Sequence, residues 1–294
     1  KSAIDFDSII QADAFSIDHA EKFGQLIIQD AGGRMKPANT FSSELLRKVS
    51  KSDTYNGLNS DQVLLSIMNN PAVWYNVPMI FLKRGNDSLR KLTGQGIKEK
   101  YAPLLSFFDS QGNYKLAPQL EAAYRASVPN QFQKDFIELD RRVNLLYSAL
   151  EGKIMRIFPL PNDENNKWVS FPELNEANFT GKDSLYVRNI LPLYFQSLRL
   201  AQQDKDYDQA NDLLESIYGF QKKFGSEVLP SEDRVKAEIT YNKYDIFKKL
   251  YSWYIYAGTL FFIVLLIQIF KSNKVISVLV GGFKAIMVLL FVLH

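Results

Sequence analysis

The chain contains no cysteine among its 294 residues and only two histidines, His19 and His294. Without thiols there is no disulfide scaffold, no thiolate metal site, no CxxC redox pair and no cysteine nucleophile. Any chemistry built on imidazole has two candidates at most. Acid is missing from the last stretch, where residues 251–294 hold Lys271, Lys274 and Lys284 and no Asp or Glu. Setting those three lysines aside leaves 32 basic against 32 acidic side chains in the first 250 residues, a net charge of zero. A phosphate-tracking nucleic-acid binder needs a basic excess, so no nucleic-acid partner is expected. Enzyme signatures are missing too: there is no GxSxG, HExxH or P-loop. Gly94-Gln95-Gly96 lacks the third glycine and the preceding strand of a dinucleotide fingerprint. The sequence offers no catalytic residue and no metal-ligand set.

What is present is a globular composition, 46% hydrophobic and 23% charged, well away from disorder. The strongest signal is at the C-terminal end. Tyr251 to Phe270 is a run of twenty uncharged residues, which at the helical rise spans roughly 30 Å, the thickness of a bilayer's hydrocarbon core. Tyr251, Trp253, Tyr254 and Tyr256 crowd its first turns, as aromatic residues do at a membrane–water interface. Buried helices of soluble cores are usually shorter, and 251–270 is therefore expected to be a transmembrane helix.

After Lys271-Ser272-Asn273-Lys274 a second apolar run begins. Read as one span from Val275 to His294, it places Lys284 near mid-membrane, at a cost of about 2.5–3.5 kcal/mol. A cheaper register makes 271–283 a cytoplasmic or interfacial connection ending at Gly281-Gly282. Residues 284–294 are then the truncated start of a second span. All three lysines fall on one side of the membrane, as the positive-inside rule favours, and residues 1–250 become an extracytoplasmic domain. The chain opens at Lys1 without Met and stops inside an apolar run; it reads as a fragment of a longer protein.

Residues 1–250 read as mainly α with a small β-hairpin or sheet. Phe23–Asp30, a turn at Ala31-Gly32-Gly33 and Arg34–Ala38 suggest the hairpin. Thr40 or Ser42 is placed to cap a helix through Lys48, and Ser60 to start another that stops before Pro71. Val77–Lys83 and Lys153–Phe158 are candidate strands beside the hairpin. Gln131–Leu150 carries an apolar stripe through Phe132, Phe136, Leu139, Val143, Leu146, Tyr147 and Leu150. Residues 159–168 are rich in proline and asparagine and read as a loop. Leu191–Gln203 and Tyr207–Phe224 suggest a tetratricopeptide-like helical pair, though one pair does not make a repeat array. From Pro230-Ser231 an amphipathic helix with Val235, Ile239, Ile246 and Leu250 is expected to run straight into the span.

His19 precedes the hairpin and is open to two readings, an exposed or capping histidine or a ligand for haem, metal or a partner. Arg34 and Lys36 beside the glycine turn could hold an anion, although a solvated hairpin tip is the preferred reading.

The run from His19 to Thr40, with Gly24-Gln25-Leu26-Ile27-Ile28-Gln29-Asp30-Ala31-Gly32-Gly33-Arg34 at its centre, resembles a segment of the fused cytochrome c biogenesis proteins of Bacteroidetes. In these a ResB/CcsB-like half is joined to a ResC/CcsA-like half. Asn56–Val63 and Phe158–Asn162 are similar to later stretches of the same region. The resemblance implies System II: a bacterial inner-membrane protein, residues 1–250 periplasmic, that exports or holds haem for covalent attachment to the CxxCH motif of apocytochrome c. It implies haem as cofactor of the full-length protein rather than of this fragment. The implied partners are apocytochrome c, the lipid bilayer and the remaining ResB-like and CcsA-like portions. The full complex would act as a holocytochrome c synthase, with the fragment alone not catalytic. His294 resembles the histidine of the "LH" pair that precedes the family's tryptophan-rich haem segment, which implies an axial haem ligand. A histidine in an apolar span is costly unless paired or ligated, and imidazole is the usual axial ligand; a histidine ending a span at the interface is the plainer reading. The other functional class is a membrane-anchored periplasmic interaction or assembly domain with no haem role.

Overall fold

The computed structural model describes residues 5–271 and 274–293. They form two compact units, one ending at Ile239 and the other beginning at Thr240. The first is mainly helical, with short antiparallel strand pairs.

Its chain starts with α1 (Phe6–Ala12), capped by the Asp5 carboxylate, and α2 (Ile17–Phe23), capped by the Ser16 hydroxyl. The expected hairpin follows but is shorter, with β1 (Ile27–Gln29) paired to β2 (Met35–Pro37). Gly33 turns its tip at φ +83°, where the Asp30 carboxylate accepts from the Gly32 and Arg34 amides at 2.9 and 3.0 Å. Next comes α3 (Ala38–Ser50), whose N-cap is Pro37 rather than Thr40 or Ser42. Those two hydroxyls are engaged elsewhere: Thr40 donates to Glu238 and Ser42 to the buried Asp61.

A tight turn at Asn56-Gly57, both residues at positive φ, joins β3 (Thr54–Tyr55) to β4 (Leu58–Asn59), as this dipeptide favours. It leads into α4 (Ser60–Asn69). This helix starts at Ser60 as expected, with Asn59 as its cap: the Asn59 side chain accepts from the Gln62 amide at 2.9 Å while Gln62 accepts from the Asn59 amide at 3.1 Å, a reciprocal capping box. A short α5 (Pro71–Trp74) precedes β5 (Pro78–Phe81).

β5 does not join the first hairpin as expected; beyond α6 (Asp87–Thr93) it pairs with β6 (Tyr101–Pro103). The free edge of β1 is already taken. Gln221 accepts from the Ile27 amide at 3.2 Å and donates to the Ile27 carbonyl at 2.8 Å, and the Gln29 amide donates to the Arg156 carbonyl at 3.0 Å. After α7 (Ala117–Arg125), α8 (Gln131–Leu150) has the expected bounds, capped by Asn130, with Phe136, Leu139, Val143, Leu146 and Leu150 in the core. Phe132 and Tyr147 of the expected stripe stay partly exposed. Of residues 153–158 only Phe158 enters a strand: β7 (Phe158–Pro159) pairs with β8 (Trp168–Val169), and the proline- and asparagine-rich stretch is the tip between them.

The helical pair is α9 (Gly181–Asp204) and α10 (Asp208–Gly225). α9 begins ten residues before Leu191 and continues through Pro192, because its inward face of Val187, Ile190, Leu191, Tyr194 and Leu198 is buried on both sides of the proline. Gly225 sits where a Cβ would overlap the Trp168 ring. α11 (Glu232–Tyr244) buries Val235 against Ile27 and Trp168.

In the second unit α11 does not run straight on: Asp245 adopts the left-handed conformation at φ 45° before α12 (Ile246–Phe270). α13 (Lys274–Leu293) is one unbroken helix through Gly281-Gly282 and Lys284, so the backbone has no break at the glycine pair. α12 and α13 lie against each other, with the Phe261 and Phe283 rings 6.1 Å apart. By length and composition Lys249–Phe270 is able to cross a membrane.

Candidate functional site

Two of the sequence candidates are resolved by their neighbours. Lys36 is nearly buried between Asp30 at 3.0 Å and Glu44 at 3.1 Å, and Arg34 pairs with Glu238 at 2.8 Å. Both cations are spent on carboxylates of the fold, so the hairpin tip is not an anion site. These bonds tie the hairpin to α3 and α11. His294, the one proposed haem ligand, lies outside the described residues.

His19 is neither exposed nor a cap. The capping group is Ser16, whose hydroxyl accepts from the His19 amide at 3.1 Å. The imidazole itself is only 1% exposed and sits between α2, α9 and α10. Its Nδ1 is 2.9 Å from Asn211 Oδ1 and its Nε2 is 2.8 Å from the Tyr194 hydroxyl. With Asn211 presenting its oxygen, Nδ1–H donates there and the Tyr194 O–H donates to Nε2, the pattern of a neutral imidazole. The Tyr207 ring stacks on it at 5.2 Å, and the Tyr207 hydroxyl accepts from the Ser16 amide at 3.1 Å. Burial holds the His19 pKa below its ordinary value; the Asn211 bond opposes this and the Lys22 charge adds to it. Burial also pushes the Tyr194 phenol well above its ordinary value.

A second buried polar knot holds α2, α3 and α4 together. The Asp61 carboxylate accepts from Asn39 at 2.7 Å and from Ser42, and burial raises its pKa against those two hydrogen bonds. Gly24 permits the approach: a Cβ there would stand 2.7 Å from Asp61 Oδ2. Sequence reasoning missed this residue, and the only visible sign was an acid in the first turn of an apolar helix.

Above the His19 knot two hollows share Lys22 and Asn211. One, of about 370 Å³, has an apolar floor of Leu26, Leu214 and Val235 with Glu215, Glu232 and Lys236 around it. The other, of about 470 Å³, reaches Asp18, Lys205 and Asp208. An apolar floor rimmed by both charge signs makes a concave surface able to take a ligand. No group of three or more His, Asp or Glu side chains is arranged to hold a metal ion among the described residues.

No family model matches the chain. It is similar to Protein NrfI of Wolinella succinogenes. The two are 32% identical over 244 residues, a match that covers 81% of this chain and 26% of NrfI. The chain therefore spans about a quarter of the length of NrfI. The match covers 81% of the chain, so similarity to NrfI is not confined to an isolated motif.

Proposed function

We propose that this chain supplies the extracytoplasmic domain and first membrane helices of a System II cytochrome c biogenesis protein, which supports covalent attachment of haem to apocytochrome c. The observation that carries the reading is the similarity to NrfI over 81% of the chain, which points to cytochrome c biogenesis. The resemblance of the His19–Thr40 run to the fused family agrees with it. In this reading residues 1–250 lie in the periplasm, α12 spans the inner membrane, and Lys271 and Lys274 face the cytoplasm, as the positive-inside rule favours.

Haem needs an axial ligand, most often neutral imidazole. His19 does not fit that role, because both its ring nitrogens are hydrogen-bonded inside the core. The described residues therefore offer haem iron no free imidazole. His294 is the residue we assign to an axial position, in a site completed by parts of the longer protein. The role left to the domain is to receive and orient a partner, and the paired hollows beside His19 supply its surface for apocytochrome c or a neighbouring portion of the complex.

Replacing His294→Ala in the complete protein tests the haem assignment. Haem retention, read by pyridine haemochrome, and cytochrome c maturation should both fall, and added imidazole should restore part of each. A normal haem load with normal maturation would reduce His294 to an interfacial histidine. The second reading, a membrane-anchored assembly domain acting through the α9–α10 pair with no haem role, is favoured by the engaged state of His19. It requires that the complete protein purify without haem.

A further inference from the structure

The sharpest local charge imbalance lies away from these hollows. Residues 83–100 hold six basic side chains and two acids, in a 250-residue region that is otherwise net negative. α6 and the loops around it gather Arg84, Arg90, Lys98 and Lys100 about a hollow of about 400 Å³, with Asp87 as its acid and Ile97 on its rim. Arg90 is the fixed point. It is 3% exposed, and its guanidinium donates to the carbonyls of Lys83 at 2.9 Å, Glu99 at 3.2 Å and Leu82 at 3.4 Å. That clamps together the two segments bearing the other cations, while no carboxylate neutralises its own charge. Among the described residues none of these four cations forms an ion pair, whereas the adjacent Lys83 is paired with Asp135 at 2.7 Å.

Ile97 decides the class of ligand. It is 76% exposed and follows Gly94 and Gly96 on the loop that carries Lys98 and Lys100. A free polyanion would satisfy the cations and leave Ile97 in water. A phospholipid surface satisfies both, with phosphates against the cations and an apolar boundary for the side chain. We propose that this loop docks on anionic phospholipid headgroups, phosphate seated among Arg84, Lys98 and Lys100 with Arg90 as the buried clamp behind them, and Ile97 entering the interface. The inference rests on the membrane reading of α12, which keeps a bilayer within reach of the domain.

The absence of cysteine makes the test clean. Ile97→Cys introduces a single thiol into the full chain, to be labelled with an environment-sensitive fluorophore and reconstituted in vesicles of phosphatidylcholine with or without phosphatidylglycerol. Emission should shift to the blue and be quenched by brominated acyl chains only in the anionic vesicles. Both effects should vanish in 1 M salt, where the Debye length is about 3 Å, and in the Lys98→Glu, Lys100→Glu background, whose circular dichroism should be unchanged. Identical emission in the two vesicle types overturns the proposal. So does a response to inorganic phosphate in neutral vesicles without one to phosphatidylglycerol, which would mark a free-phosphate pocket. Cytochrome c maturation followed in parallel separates the two readings: no lipid response in the labelled Ile97→Cys protein with native charges, alongside normal maturation, defeats this inference alone. Recovery of the chain in the soluble fraction defeats the membrane reading and this inference with it.

Discussion

In the unit ending at Ile239, Trp74, Phe107, Phe136 and Tyr194 have no exposed surface, while in α12 the side chains of Trp253, Phe262, Ile269 and Phe270 stand from 60 to 88% exposed. Similar residue types are used in opposite ways. The first unit closes its apolar side chains inward and spends its polar ones on specific partners: His19 on Tyr194 and Asn211, Asp61 on Asn39 and Ser42, Gln221 on both polar groups of Ile27. The hairpin of α12 and α13 turns its apolar side chains outward and satisfies its backbone within each helix, as a bilayer requires. A side chain's worth therefore depends on which unit holds it.

The largest effect should come from putting the same charge at two leucines of similar exposure. Leu266→Arg in the middle of α12 should cost about 2.5–3.5 kcal/mol of insertion, seen as protein lost from the membrane fraction after alkaline extraction. Leu193→Arg on α9, 49% exposed against 41% for Leu266, should change urea stability by no more than about 0.5 kcal/mol. Equal tolerance at both positions would erase the contrast.

Removing the buried imidazole sharpens the other side. His19→Ala strands the Tyr194 hydroxyl and the Asn211 amide in the core and should cost about 2–3 kcal/mol in urea denaturation. An unchanged midpoint would mean that the knot does not hold α2 to the helical pair. A paired test on α10 is smaller. Gly225→Ala, pressed against the Trp168 ring, should destabilise by about 1–2 kcal/mol. Gly219→Ala, with open space around its Cα, should stabilise by up to about 1 kcal/mol through helix propensity. If both shift the same way, the close approach at Trp168 is not what fixes Gly225.

The smallest effect is on pH dependence. Burial lowers the His19 pKa in the folded chain, whereas the unfolded chain titrates near the ordinary value of about 6.5. The stabilisation is therefore complete above that value and is lost as pH falls toward the folded pKa, because the unfolded state binds the proton first. Between about pH 7 and pH 5 the melting temperature should fall more in the native chain than in His19→Ala, since the carboxylates of Asp30, Glu44 and Glu173, all lowered in the fold, titrate below that window. Parallel curves would assign the slope to other groups.

What was legible in the sequence was local. α8 announced itself by its stripe, α12 by length without charge, and the first hairpin by its glycine turn. What was not legible depended on partners far along the chain. Strands of two to four residues have too little pattern to choose a neighbour, and β5 was kept from the first hairpin by a glutamine 194 residues from Ile27. The burial of His19 needed Tyr194 and Asn211, 175 and 192 residues away. The helix expected from Leu191 starts ten residues earlier, because burial on both sides of Pro192 keeps α9 continuous. The caps at Thr40 and Ser42 failed for a similar reason, since Glu238 and Asp61 claim those hydroxyls.

The contrast between a unit with a closed apolar core and a helix pair with exposed apolar side chains, which we propose meets a bilayer, is tested most directly by accessibility in a chain with no thiol of its own. Single cysteines at Asn242→Cys, Ile263→Cys and Ser272→Cys, treated in spheroplasts with a membrane-impermeant maleimide, report the two faces and the middle of α12. The expected result is labelling of position 242 from outside, of 272 only after permeabilisation, and of 263 only after detergent. Labelling of position 263 at the rate seen for 242, or of 272 from outside, would contradict the account.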